Sequence, residues 1–139
     1  MIDPTATLLA YLATVTPLTN IVATRLYGPP GLPVGYAGAT SALVIMLDAS
    51  NEDTSTPIID VPFQARCYGS TPTAAYSVFA ALHDAIHNIG PLRVSVSGST
   101  VLLARARLLS GPVFLTEVDL GFGFWLARYG VILSDRTVT

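Results

Sequence analysis

The sequence predicts an α+β fold: a mostly antiparallel sheet of about four to five strands with two main helices packed on it. Residues 1–139 read as a single domain, since compact domains cluster near this length and no linker or repeat interrupts the chain. Three observations predict this class. Proline follows a capping residue at the head of each apolar helical stretch, Ile58 to Tyr68 alternates with a period of two, and strand-like runs are interleaved with the helices.

The elements follow in order. Asp3-Pro4 opens a helix to about Thr16, because a short polar side chain can cap the first free N–H groups and proline at the first helical position forfeits no hydrogen bond. Leu8, Tyr11, Leu12 and Val15 then share one face. Thr16-Pro17 ends that helix and opens a shorter one through Ala23, with Thr16 as the expected cap. Ala42 to Asp48 is a short aliphatic run, as in a strand buried on both faces. In the segment Ile58 to Tyr68, Ile59, Val61, Phe63, Ala65 and Cys67 point one way, while Asp60, Gln64, Arg66 and Tyr68 point the other. Pro62 cannot donate to a ladder, so the start of this strand belongs at an edge or a bulge.

Thr71-Pro72 opens the longest helix, running to about Asn88 and stopped by Gly90-Pro91. Leu92 to Val96 and Thr100 to Leu109 form a hairpin across Ser97-Gly98-Ser99, with Arg105 and Arg107 on the outer face and Ala104, Ala106 and Leu108 inward. The last strand, about Val118 to Leu133, is the least regular, and Gly121 and Gly123 mark an expected bulge. Residues 28–38 and 50–57 read as loops.

Composition narrows the function. The hydrophobic fraction is 51% and only 12% of residues are charged, against about 25% in an average soluble domain. Pro4 to Thr24 carries no charge, but six threonines, Asn20 and Pro17 lie in it and no basic residue precedes it, which argues against a membrane span or a signal peptide. The second uncharged run, Leu26 to Leu47, is broken by glycines and prolines. Protein–protein burial is therefore the expected cover for the apolar surplus, with no membrane partner. Net charge is −2, from nine acidic residues against seven arginines with no lysine, and no basic block exists, which disfavours sequence-specific nucleic-acid binding. Cys67 stands alone, fits a reducing compartment and reads as a buried small hydrophobe.

No constellation reads as an active site. His83-Asp84-Ala85-Ile86-His87 places two histidines four apart on one helix face, the spacing of helical zinc sites. Asp is one methylene shorter than the usual general base, however, and no third ligand follows. A polar flank or subunit contact is the plainer reading, so no metal, cofactor or catalytic residue is expected. Without lysine there is no Walker A loop or Schiff base; Gly121-Phe122-Gly123 lacks the third glycine of a dinucleotide site; no G-x-S-x-G elbow occurs. Asp48, Glu52 and Asp53 lack EF-hand spacing, and Glu117 with Asp119 reads as a wet strand face. What remains is interface material: the aromatics Tyr68, Tyr76, Trp125 and Tyr129, the histidines His83 and His87, and Arg66, Arg105 and Arg107, residue types suited to subunit contacts.

A family resemblance gathers these features. Leu8-Leu9-Ala10-Tyr11-Leu12, then Pro17-Leu18-Thr19-Asn20-Ile21-Val22, then Arg25-Leu26-Tyr27 and a Pro/Gly loop ending at Leu32-Pro33 resemble the start of tail completion proteins, or tail terminators, of tailed bacteriophages. So do the strand Phe63-Gln64-Ala65-Arg66-Cys67-Tyr68-Gly69, the helix with Ala74-Ala75 and Ala80-Ala81-Leu82, and the closing Phe124-Trp125-Leu126-Ala127-Arg128-Tyr129. The resemblance implies a non-enzymatic virion subunit, assembled in the host cytoplasm, that forms a homo-oligomeric ring, commonly of six copies. That ring sits at the head–tail junction on the head-proximal end of the tail tube. It would halt tube polymerisation, contact the tail-tube protein and the head–tail connector or stopper, and let the genome pass through its lumen. Where relatives often carry proline before the first core strand, this chain has Ser41-Ala42-Leu43, which implies a differently built loop over residues 28–40. A head-closure or connector ring subunit is the alternative within virion proteins; a metal-dependent hydrolase using the histidine pair is the alternative outside them.

Overall fold

The structure, a computed structural model, describes residues 3–29, 31–36, 40–47, 58–87, 89–96, 98–117 and 122–134. Helices α1 (Pro4–Leu12) and α2 (Thr16–Val22) open the chain. Strands β1 (Leu26–Tyr27), β2 (Ala42–Leu47) and β3 (Ile58–Tyr68) follow, then α3 (Pro72–Ile86), and finally β4 (Leu92–Val96), β5 (Ser99–Glu117) and β6 (Phe122–Ser134). The strands make one six-stranded sheet in the order β1-β2-β3-β6-β5-β4. The fold is α+β as the sequence predicts. The sheet is larger than the expected four to five strands and is mixed, because β1 pairs with β2 in parallel.

Capping chemistry sets the helix starts. Asp3 accepts from the Ala6 N–H at 3.1 Å and Thr71 from the Ala74 N–H at 3.0 Å, as their positions before proline predict. At α2 the expectation fails: Thr16 lies inside the helix and Val15 takes the cap position without a side-chain bond. The axes of α1 and α2 meet at 91°, and no single helix among the described residues is long and apolar enough to cross a membrane.

The helices all cover one face of the sheet. Leu8 and Leu12 of α1, Leu18 and Val22 of α2, and Val78, Leu82 and Ile86 of α3 are buried against Val61, Phe63, Ala65 and Cys67 of β3 and Ala127, Tyr129, Val131 and Leu133 of β6. Burying each such aliphatic side chain contributes about 1.5–3 kcal/mol. The Tyr11 hydroxyl donates to the Ala85 carbonyl at 2.6 Å and ties α1 to α3. The opposite face has its own smaller cluster: Ala42, Val44, Tyr68 and Phe124 are buried, with Leu32 and Tyr36 of the loop after β1 packed over them.

β3 runs over the predicted residues, and its alternation orients it as expected. The β2 ladder is described from Phe63 onward, and the position opposite Pro62 on that side lies outside the described residues. Two expectations are corrected downstream. β6 pairs with β3 at every position from Phe124 to Ser134, so it is the regular strand; Gly121 itself lies outside the described residues. The irregularity belongs to β5, whose register against β6 slips between Leu103 and Arg105, between Leu108 and Ser110, and between Ser110 and Val113. Nor does β5 stop near Leu109. It continues to Glu117, absorbing Gly111-Pro112 as a bulge; Gly111 has φ +95°, and a Cβ there would lie 2.8 Å from the Leu126 carbonyl oxygen. The hairpin from β4 to β5 closes at Val96↔Ser99, one residue tighter than predicted, with Gly98 at φ +83°. Predicted features at Asp48, residues 50–57, Asn88, Ser97, Val118, Asp119 and Leu120 lie outside the described residues.

Candidate subunit interface

The side chains expected to meet a partner divide between the two faces of the sheet. Tyr76, His83, His87, Trp125 and Tyr129 lie on the helix-covered face; Arg66, Tyr68, Arg105 and Arg107 lie on the opposite one, as strand parity and register place them. They are not one patch.

On the helix face the aromatic side chains form a continuous chain of contacts. Phe114 of β5 packs on Trp125 of β6 at 5.3 Å between ring centroids, Trp125 meets Tyr76 edge-on at 5.1 Å, and Tyr76 meets Phe79 at 5.5 Å. The Trp125 indole N–H donates to the Pro72 carbonyl at 3.0 Å, which anchors the start of α3 to β6. Phe114 lies directly over Gly123: a Cβ there would fall 2.2 Å from the ring, so only glycine admits it.

The histidine pair continues this chain. The rings of His83 and His87 stack at 4.5 Å. His83 Nδ1 shares a hydrogen bond of 3.0 Å with the Tyr129 hydroxyl. His87 Nδ1 accepts the Leu108 N–H at 3.2 Å, satisfying a backbone donor beside one of the register slips in β5. Each ring therefore has one nitrogen engaged in holding α3 to the sheet. Among the described residues no group of three or more His, Cys, Asp or Glu is placed to hold a metal ion.

Burial corrects two members of the expected surface. Tyr129 is fully buried, stacked on Phe63 at 5.6 Å, and Tyr68 is 2% exposed among Tyr36, Phe122 and Phe124. Their apolar area is taken up inside the chain's own fold, because helices close one face and the 31–36 loop closes part of the other. Burial pushes the Tyr129 hydroxyl well above the usual phenol range, reinforced by the neighbouring Cys67, and pushes the Cys67 thiol up likewise. Cys67 is thus inert packing, as the sequence predicts.

What sequence reasoning missed lies on β5. β4 pairs with residues 99–103 only, so from Ala104 to Glu117 β5 has β6 as its one strand neighbour among the described residues. Along this edge Leu109 is 45% exposed, Val113 52%, Phe114 38% and Leu115 40%. A run of large apolar side chains on an open strand edge is the surface that proteins otherwise cover or charge. A shallow hollow elsewhere, lined by Leu9, Ala13, Thr19, Ala23, Thr24 and Leu26, holds no titratable group.

Comparison with solved structures finds a likeness of fold. The chain is similar to a protein chain in the virion of the native gene transfer agent (GTA) particle, with a TM-score of 0.66 over 94% of this chain and 93% of that one. The two share a fold. Identity is 15%, so the likeness is one of architecture over nearly the whole length of both chains. No protein-family model matches the sequence, and no curated protein does.

Proposed function

We propose that the protein is a structural subunit of a phage-like virion, and within it a tail terminator: a ring, of six copies by the family resemblance, that caps the head-proximal end of the tail tube, stops its growth and joins it to the head connector. The observation that carries the reading is the near full-length fold shared with a chain of a phage-like virion particle. The open apolar edge of β5 supports assembly into a ring, since it leaves a greasy strip that a neighbouring copy would cover. The role is non-enzymatic: the histidines serve as struts between α3 and the sheet.

Native mass spectrometry and electron microscopy of the purified protein test the ring, and addition to polymerising tail tubes tests the cap. Closed rings that arrest tube length are expected. A strict monomer at high concentration that leaves tube growth unchanged would overturn the proposal. Labelling the protein in intact particles separates a terminator at the tube end from a connector subunit at the portal side.

A further inference from the structure

The sequence contains no basic block, yet strand pairing builds one. On the face of the sheet away from the helices, register aligns Arg93 with Leu102 and Ser134, Arg105 with Ile132, Arg107 with Gly130, Arg128 with Gln64, and Arg66 with Leu126. Each step advances two residues along the strands, and the positions move from β4 through β5 and β6 to β3. The arginines therefore mark a diagonal track across four strands, with successive positions roughly 7–8 Å apart from the standard strand rise and spacing. Arg93, Arg105, Arg107 and Arg128 are exposed, and Arg66 is half-buried with its guanidinium over the Phe124 ring at 5.3 Å.

Of the described arginines only Arg25 lies off this track, where it donates to the Ser41 and Ile21 carbonyls. Asp60 shares this face, and register opposite Phe122 puts the Glu117 position on it as well, while Asp3 and Asp84 belong to α1 and α3 on the other side. In a chain of net charge −2, register gathers five of the six described arginines on one diagonal. A row of guanidinium groups at near-regular intervals suits a ligand that is itself a row of anions, and guanidinium pairs with phosphate in a bidentate fork. The side chains aligned with the arginines include the aliphatic Leu102, Ile132 and Leu126, and the Phe124 ring under Arg66 is buried, so the track offers contact to a backbone and no open aromatic platform for bases.

We infer that this arginine diagonal contacts the phosphate backbone of nucleic acid without reading its sequence. Under the ring reading proposed above, on which this inference rests, it is the face turned to the passing genome.

Fluorescence anisotropy with a labelled random-sequence DNA duplex tests it, using the full chain over a salt series. Wild-type protein should bind, with log affinity falling linearly in log salt by about 0.9 per phosphate neutralised. The double substitution Arg105→Gln with Arg107→Gln should lower that slope by about 2 while leaving circular dichroism and ring formation intact. Absence of wild-type binding at low salt, or an unchanged slope in the variant, would overturn the inference. So would loss of rings in a folded variant, which would make the diagonal a subunit contact. Displacement of the duplex by polyglutamate as effective, charge for charge, as by DNA would overturn the assignment to phosphate in favour of an acidic protein surface. A wild-type monomer that binds DNA with an arginine-dependent slope would sink the ring and keep the track; a ring that ignores DNA would do the reverse.

Discussion

Cys67 and Tyr129 sit at the centre of the core, and both hold their protons past the pH at which exposed groups lose them, 9.0 for the thiol and 10.0 for the phenol. A folded-state value raised above the unfolded one contributes stability that is complete below the unfolded value and is withdrawn as the pH climbs towards the folded one. Urea unfolding midpoints should therefore stay level, as far as these two groups act, from neutral pH to about pH 9 and fall above it. Replacing Cys67 by Ala should flatten the first part of that fall. A profile that already drops between pH 7 and 8 would need another group. At this scale the sequence is a good guide to chemistry and a poor one to depth. The isolation of Cys67 and its inward parity announce a buried thiol. Tyr68 and Tyr129 look like interface aromatics because residue type says nothing about the loop and helices that close over them.

β5 is the element on which the proposed ring turns. Its outer half exposes Val113 and Leu115 on the arginine-bearing face, opposite Leu126 and Phe124, and Phe114 on the other. Val113→Lys with Leu115→Lys should leave the subunit folded, with stability changed by no more than about 0.5 kcal/mol for each exposed site, and should abolish rings in native mass spectrometry. Persistence of rings would move the interface elsewhere. The extent of β5 was hidden because Ser110-Gly111-Pro112 has the composition of a turn, whereas here those residues form a slip in register that the regular neighbour β6 tolerates. The glycines near the start of β6 misled in the opposite sense: Gly123 makes room for Phe114 and leaves the ladder unbroken. By contrast β3 was legible to the residue, since one of its faces packs on helices and a strict period of two survives in its composition. β1 had no local signal at all; two residues become a strand only through pairing with β2.

Across the whole molecule, the apolar surplus in the composition is divided between two interiors and one open edge. If sister copies cover that edge, folding and association are linked, and the melting temperature should rise with protein concentration over a hundredfold range, a dependence that the doubly substituted β5 variant should lose. A concentration-independent melting temperature for wild type would show a subunit whose stability owes nothing to its neighbours. The fold class was readable at this scale because helix starts and strand periodicity are local. The arginine diagonal was not, since its members come from strands far apart in the chain and meet only through register.

The three slips along β5 also bear on how the protein avoids its own worst outcome. A straight, fully hydrogen-bonding rail of this greasiness would recruit copy after copy into cross-β filaments. Here the rail is notched at intervals, and an incoming extended chain loses step with it before a stable stack can nucleate. Concentrated stocks should consequently fail to seed thioflavin-positive fibrils, and under the proposed ring reading crowding should drive the copies towards shapes that close on themselves.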